Sequence, residues 1–339
     1  MKDKRKELPP SVVLMQMITG YWVSSAIYVA AKLGLADQIG DNSVNADELA
    51  SRVGVHPGAL YRLLRTLASV GVFTEVEPER FGLTPIGNYL KSDIPGSLRA
   101  LSIYGREMTW DTWGQLLHSV RTGETAFAHL HGMGFFEFLE QNSELARLFD
   151  EAMTVFVTTY GLEVAGTYDF TPFSTIVDVG GGRGALMEAI LKQHPKVRGI
   201  IFDRPEVVEI ARNRIASFGL SNRCECIGGD FFLSLPSGGD AYLLASIIHD
   251  WDDEKSLTIL RSCRRAMDRR AKLLLVEMVI PPGDAPFFGK LLDLNMLTHF
   301  GGRERTEVEY RNLLSTAGFR LTRIVPTRTP ASLIEAVPV

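Results

Sequence analysis

Only three cysteines occur in 339 residues, Cys224, Cys226 and Cys263, too few and too clustered for a disulfide framework. No second Cys/His pair stands near Cys224-x-Cys226, so two thiols on one side of a strand is a better reading than a metal site. Charge of neither sign dominates. The formal net charge is −4 and the pI about 6.0, which leaves no electrostatic footprint for nucleic acid or for an anionic membrane. Internal repeats and low-complexity tracts are missing as well. One stretch lacks charge altogether, from Leu8 to Ala31, and it follows the basic residues Lys2, Lys4, Arg5 and Lys6. Basic residues before an apolar run imitate a signal peptide or an anchor. Gln16, Thr19, Gly20, Ser24 and Ser25 interrupt this run and Lys32 closes it. The expectation is therefore a pair of apolar helices buried against a partner subunit in a cytoplasmic protein, with no membrane partner.

What is present fits a soluble chain of two domains. Hydrophobic residues make up 45% and charged residues 22%, a balance that supports a large buried core at this length. Residues 42–90 read as a winged helix. Asn45-x-x-Glu48 is a capping-box pattern ahead of Leu49, Ala50 and Val53. Pro57 suits a first helical turn, and Leu60, Leu63, Leu64 and Leu67 follow at helical spacing up to Gly71. Val72 to Leu83 resembles a hairpin turning near Pro78-Glu79-Arg80, and Thr84-Pro85 opens another helix. Arg62 and Arg65 read as a solvated helix face rather than a DNA-binding one, so the module serves packing or dimerisation. Residues 91–170 look helical and aromatic-rich.

From Ser174 the pattern changes to strands alternating with helices. Apolar runs at Thr175–Val179, Gly199–Phe202, Cys224–Ile227, Ala241–Ile248, Lys272–Val279, Phe319–Val325 and Ser332–Val337 predict a doubly wound, mostly parallel sheet, with an antiparallel edge at the C-terminus. The division is residues 1–100 and 101–339.

In such sheets ligands bind beyond the C-terminal ends of the strands. Strand one ends in Asp178-Val179-Gly180-Gly181-Gly182-Arg183-Gly184, where glycines let the backbone turn and approach a ligand. Strand two ends in Asp203, a carboxylate able to accept from a ribose diol. Strand three ends in Gly228-Gly229-Asp230-Phe231, an acceptor for an adenine amino group beside an aromatic face. Gly180-x-Gly182-x-x-Ala185 also satisfies a dinucleotide fingerprint, and so an NAD(P)-dependent oxidoreductase is a rival reading. That rival leaves Asp230-Phe231 and the fourth strand without a role. A donor of the S-adenosylmethionine type uses all three acidic strand ends.

The fourth run reaches Ile247-Ile248-His249-Asp250-Trp251-Asp252-Asp253-Glu254. An imidazole at the mouth of a sheet has the pKa of a general base at neutral pH. Methyl transfer from a sulfonium needs an acceptor positioned and relieved of its proton. Glu277, ending the next strand, and Glu304 are carboxylates able to fix the tautomer of His249 and stabilise its imidazolium. Asp252 and Asp253 read as an acidic helix N-terminus.

Val177–Gly184, Phe202-Asp203-Arg204-Pro205, Gly229-Asp230-Phe231-Phe232, His249–Glu254, Leu275–Pro282 and Asp293–Thr306 together resemble the plant-type small-molecule O-methyltransferases, which include caffeate and hydroxyindole O-methyltransferases and bacterial polyketide-tailoring relatives. The N-terminal module resembles that family's dimerisation domain. The resemblance implies a Rossmann-like methyltransferase sheet with an N-terminal helical winged-helix dimerisation domain, and a homodimer in which the first helices of one subunit close the pocket of the other. It implies His249 as general base flanked by Glu277 and Glu304. Donor contacts would fall at Gly180, Gly181, Asp203, Asp230, Phe231 and the backbone of Ala245, with Trp251 nearby. Met153, Val157, Met296 and Phe300 take positions that touch donor or acceptor. No metal is implied. S-adenosyl-L-methionine is the expected donor and S-adenosyl-L-homocysteine the product.

The sequence departs from the family at Arg204, usually aliphatic, and at Ala245-Ser246, which replaces Lys-Trp or Ser-Arg. The expected reaction is O-methylation of a phenolic or enolic hydroxyl on an aromatic or polyketide-like secondary metabolite. N-methylation on the same scaffold is the alternative, and a winged-helix regulator sensing a nucleoside-like ligand is a third reading.

Overall fold

The computed structural model describes residues 8–339, apart from the side chains at positions 157–160 and 162. The chain divides into two compact units, residues 1–110 and 111–339.

In the first unit, Thr19 and Gly20 split the uncharged stretch into α1 (Pro10–Ile18) and α2 (Gly20–Lys32). By length and composition alone Pro10–Lys32 is apolar enough to cross a membrane. Within this unit Leu14, Met15, Met17, Ile18, Tyr21 and Trp22 are exposed, whereas Ala30 and Ala31 enter the core. After α3 (Leu35–Ile39) and β1 (Ser43–Asn45), Asn45 caps α4 (Ala46–Val53) by accepting from the backbone N–H groups of Asp47 and Glu48. The expected reciprocal half of the box is missing, because Glu48 accepts from Arg52 one turn on. The helix α5 (Pro57–Ser69) buries Leu60, Leu64 and Leu67, the stripe its 3.6-residue period dictates. Arg62 and Arg65 stay exposed, Arg65 lying over the Tyr61 ring.

The wing is β2 (Phe73–Glu77) and β3 (Arg80–Leu83), antiparallel, with β3 central in the order β1-β3-β2. The helix expected after Thr84-Pro85 shrinks to a single 3-10 turn, Gly87–Leu90. Thr84 Oγ1 bonds the carbonyls of Gly71 and Val72 while accepting from Gly87 N, and this tether holds the segment against the hairpin. The unit ends with α6 (Arg99–Tyr104) and one π turn at Gly105–Thr109.

The second unit opens with five helices, α7 (Trp110–Gly114), α8 (Leu116–Thr122), α9 (Ala126–His131), α10 (Phe135–Gln141) and the long α11 (Ser143–Thr167). Strand and helix then alternate through β4 (Thr175–Val179), α12 (Ala185–Gln193), β5 (Arg198–Asp203), α13 (Pro205–Ser217) and β6 (Cys224–Gly228). They continue through β7 (Ala241–Ala245), α14 (Asp253–Ala266), β8 (Lys272–Glu277), β9 (Val279–Ile280), α15 (Phe288–His299), β10 (Arg305–Thr306), α16 (Glu307–Thr316), β11 (Phe319–Pro326) and β12 (Ser332–Pro338).

Seven strands form one sheet in the order β11-β12-β8-β7-β4-β5-β6. Neighbours from β6 to β8 pair in parallel, and β12 runs antiparallel between β8 and β11. The C-terminal edge is thus a hairpin whose reversed strand lies one place inside it. Both faces are covered, one by the cluster around Val164, Ile190 and Leu274, the other by that around Leu260, Tyr310 and Leu314. Burial on two sides is why these strands read as unbroken apolar runs. Chain order reverses between β4 and β7, which opens a crevice at their C-terminal ends.

Two runs stop short as strands. Ala241–Ile248 leaves the sheet at Ala245, since Ser246 takes φ 55° and Ile248–Asp250 wind into a 3-10 turn. Lys272–Val279 ends at Glu277, and Val279–Ile280 pairs instead with Arg305–Thr306.

Candidate active site

The glycine loop leaves β4 with Gly180, Gly182 and Gly184 all at positive φ, a conformation that a Cβ would strain. Gly180 also has no room for one, because a Cβ there would lie 2.4 Å from Ile247 Cδ1. At Gly182 nothing lies within 4 Å, so the loop faces open space at that point. Asp203 at the end of β5 anchors the loop. Its Oδ2 accepts from Gly182 N at 2.8 Å and its Oδ1 from Arg204 N at 2.7 Å. Each oxygen keeps a lone pair, and burial raises this carboxyl above its ordinary value. Behind the loop Asp178 is fully buried with Oδ2 unpartnered, and burial, then Asp203, lift it to about 7.

Asp230 and Phe231 lie two and three residues past β6. Asp230 is exposed and uses Oδ1 to accept from Phe232 N. Phe231 stands beside the loop, since a Cβ at Gly180 would come within 3.8 Å of its ring. Arg204 is exposed, with Glu206 and Glu140 nearby. Ala245 is the last residue of β7.

His249 is four residues beyond β7 rather than at the strand's end, and the 3-10 turn drops its ring among three carboxylates. Nδ1 lies 2.7 Å from Glu304 Oε1 and 3.9 Å from Glu277 Oε2, and Nε2 is 3.5 Å from Asp250 Oδ1. A carboxylate only accepts, so the short contact puts a proton on Nδ1 and leaves Nε2 as the exchanging nitrogen. Burial alone would lower the imidazole, but Glu304, Asp250 and Glu277 together outweigh it and raise it to about 10. Burial also lifts Asp250 to about 6 and Glu277 to about 7. His249, Asp250 and Glu277 stand close enough for their titrations to be linked. Glu277 Oε2 and Glu304 Oε2 are buried without a hydrogen-bond partner.

The ring's position is over-determined. Glu277 Oε1 accepts from Ile247 N and Ile248 N. Arg305, 1% exposed, donates to the carbonyls of Ile248 and Trp251 and to Asp253. Arg303 N donates to the His249 carbonyl, an approach that only Gly302 permits, since a Cβ there would sit 2.0 Å from that oxygen. Asp252 caps α14 by accepting from Lys255 N, the acidic helix start that the sequence suggested. His249, Glu277 and Glu304 also form a donor set within 4.8 Å. The 2.7 Å Nδ1–Oε1 separation has the length of a hydrogen bond, which pairs His249 directly with Glu304.

Aromatic side chains wall this cluster. Trp251 stacks on Phe136 of α10 at 5.4 Å and meets Phe232 edge-on at 5.0 Å. Phe300, which caps α15, touches Phe135 at 4.7 Å and Phe136 at 5.7 Å. Met296 is buried one turn before Phe300, and Met153 is half-buried on α11, one turn after Phe149. The side chain of Val157 lies outside the described residues. A surface cavity of about 480 Å³ at Gly238–Asp240 and Asp268–Ala271 is lined by none of these residues.

Phe136, Asp250, Asp178 and Arg305 were not assigned roles from sequence. Asp250 and Arg305 stand inside quoted motifs, next to assigned residues, and adjacency was the available signal. Phe136 had only its place in an aromatic-rich stretch.

Models of the O-methyltransferase domain match residues 113–320, and of the O-methyltransferase dimerisation domain residues 15–93. The chain is 47% identical over 332 residues to a phenazine O-methyltransferase of Lysobacter antibioticus, covering 98% of this chain and 97% of that one. It is 36% identical to an 8-amino-8-demethylriboflavin N,N-dimethyltransferase of Streptomyces davaonensis, covering 92% and 91%. Among solved structures, that of LaPhzM superposes with a TM-score of 0.94 at 47% identity, over 98% of this chain and 100% of that one. An O-methyltransferase from neocarzinostatin biosynthesis, solved with S-adenosylmethionine and 2-hydroxy-5-methyl naphthoic acid, gives 0.80 at 34%, over 93% and 96%.

Proposed function

The chain belongs to the O-methyltransferase family and is an S-adenosylmethionine-dependent methyltransferase, and on that premise we propose that it methylates a phenolic or enolic hydroxyl of a flat aromatic or polyketide-like molecule, with His249 as general base. The observation that carries this reading is the 2.7 Å contact from Nδ1 of His249 to Glu304, which reserves Nε2 for the acceptor's proton. Membership sets aside the dinucleotide and regulator readings.

The donor seat we read at Gly180, Gly181, Asp203, Asp230, Phe231, Ala245 and Trp251. Support comes from the open face at Gly182 and from the lone pair left on each Asp203 oxygen, suited to a ribose diol. A Cβ at Gly181 would lie 2.8 Å from Asp178 Oδ2, so the loop keeps its shape only with glycine. When bound, S-adenosylmethionine supplies a methyl group on a sulfonium, an electrophile that needs no metal.

The chain's own residues do the rest. Phe136, Trp251 and Phe300, with Met153, Val157 and Met296, hold a flat acceptor and exclude water from it. His249 takes the hydroxyl proton at Nε2 as the oxygen gains its new bond. Glu304 and Asp250 stabilise the imidazolium that forms. Glu277 and Arg305 keep the turn in register. Residues 1–100 we read as the dimerisation domain of a cytoplasmic homodimer and 101–339 as the catalytic domain; the exposed apolar side chains of α1 and α2 suit coverage by a second copy. Neither nucleic acid nor membrane has a part in this reading.

N-methylation is the second reading, favoured by the riboflavin-type relative. An amine offers its own lone pair and has less need of a base. Methyl transfer to a panel of phenols and matched anilines, followed by mass spectrometry with His249→Gln alongside, decides between them. Phenol methylation that collapses in the variant supports the oxygen acceptor. Aniline methylation indifferent to the variant overturns it.

A further inference from the structure

The Cys224-x-Cys226 pair has no part in the reaction above, and it stands at a distinctive place. Strand β6 is the outer strand of the sheet, paired only to β5 among the described residues. Residues two apart on a strand share a face, which sets the two thiols side by side on β6, and Cys224 Sγ lies 3.9 Å from the Glu225 carbonyl, to which it donates. Cys224 is buried and Cys226 half-buried against the same core cluster, and both line a surface cavity of about 460 Å³ with Arg198, Arg212, Ile215, Ser221 and Glu225. Arg212 donates to the Cys226 carbonyl at 3.1 Å.

We propose that Cys224 and Cys226 form a reversible oxidation site, in which Cys226 is the thiol that reacts with a hydroperoxide and Cys224 the thiol that resolves it. Reactive cysteines are partly exposed and electropositive in setting, and inert ones are buried. The neighbouring Cys224 thiol, then the Arg212 guanidinium, lower Cys226 against the opposing effects of burial, Glu209 and Glu225. Cys263 provides the contrast, since it is fully buried and burial pushes its thiol up to about 12.

The chemistry balances with a hydroperoxide as oxidant. The Cys226 thiolate attacks the outer peroxide oxygen, the O–O bond breaks, and a sulfenic acid and an alcohol (or water) result. The Cys224 sulfur then attacks the sulfenic sulfur, forming the S–S bond, and the departing hydroxide leaves as water with the Cys224 proton. Two electrons pass from the thiols to the peroxide, and a dithiol reductant returns them. Residues i and i+2 of a strand lie about 6.6 Å apart along it, at the upper limit for a disulfide, so closure puckers β6 and the bond is readily reduced. An outer strand has one free side on which to pucker. Strand β6 runs directly into Gly229-Asp230-Phe231, the donor seat of the preceding reading, on which this link to donor binding rests.

The test is exposure of the full chain to stoichiometric hydrogen peroxide, then peptide mass spectrometry and titration with S-adenosylhomocysteine. The expected product is one peptide carrying both cysteines and lacking two hydrogens, restored by dithiothreitol, with Cys263 untouched. In Cys224→Ser the reaction should halt at a dimedone-trapped sulfenic acid on Cys226, and Cys226→Ser should leave Cys224 reduced. Two intact thiols, or oxidation of Cys263 at an equal rate, would overturn the proposal whatever the enzyme methylates. Loss of S-adenosylhomocysteine affinity on oxidation supports the link to the donor seat. Equal affinity in both forms removes that link.

Discussion

Glu304 Oε1 lies 2.7 Å from His249 Nδ1 while Asp250 Oδ1 stands 3.5 Å from Nε2, so the imidazole is held on one nitrogen and only approached on the other. A positioned base needs a fixed ring and one nitrogen left to exchange its proton with the acceptor, and this asymmetry supplies both.

Removing the base should separate chemistry from binding. His249→Gln is expected to lower turnover by about 10²–10⁴-fold, with S-adenosylhomocysteine affinity unchanged by calorimetry. Turnover close to that of the parent chain would dismiss His249 as the base.

The pH profile reports the carboxylates. The imidazole is raised to about 10, so the neutral base grows in as pH rises toward that value. Glu304→Gln removes the leading upward influence while keeping an acceptor for Nδ1–H. The rising limb of kcat/KM should therefore move to lower pH by about one unit or more. A limb that stays put means that another group sets it. The sign for stability follows: an imidazole raised in the folded state stabilises fully below an unfolded pKa of about 6.5, and this contribution fades as pH climbs through the folded value.

Asp203→Ala should weaken S-adenosylhomocysteine binding by about 1.5–3 kcal/mol, the range for hydrogen bonds to a charged group. Part of that loss will come from the loop, because the same carboxylate holds Gly182 N and Arg204 N. Calorimetry showing equal affinity would remove Asp203 from the donor seat.

Phe136→Ala opens the wall beside Trp251. Acceptor KM should rise roughly tenfold through lost apolar and ring contact, with donor affinity steady. A KM unmoved across several aromatic acceptors would make Phe136 a packing residue only.

Glu335 is a stability site remote from the reaction. Burial would raise it, but Tyr168, Lys272, Thr322 and Arg323 outweigh burial and hold it at about 2. Its stabilisation is present above an unfolded pKa of about 4.3 and is lost as pH falls through the folded value. Glu335→Gln should cost about 2 kcal/mol at pH ~7 in urea unfolding, a difference that shrinks toward pH ~2. The same cost at both pH values would contradict an ionic role.

Local rules made much of this protein readable from its sequence. Unbroken apolar runs announced strands buried on both faces, glycines at a strand's end announced the loop, and Asn45 and Asp252 announced their caps, because each depends on residues within a few positions. Asp203 and His249 were visible for the same reason. Where the local signal was incomplete, tertiary contacts prevailed. Glu48 turned to Arg52 instead of closing its box, and Thr84, tied to the Gly71 and Val72 carbonyls ahead of β2, left one 3-10 turn where a helix was expected. The histidine's setting came from still further away. That Ser246 would take a left-handed backbone, that Arg305 would bury its guanidinium under the turn 57 residues earlier at Ile248, and that Phe136 would cover Trp251 are outcomes of packing between segments distant in the chain. The sequence by itself determined which groups stand at the strand ends. Only the tertiary structure decided which nitrogen of His249 is held and which is free, since that rests on a carboxylate brought 55 residues back by the folding of β8, α15 and the turn between them.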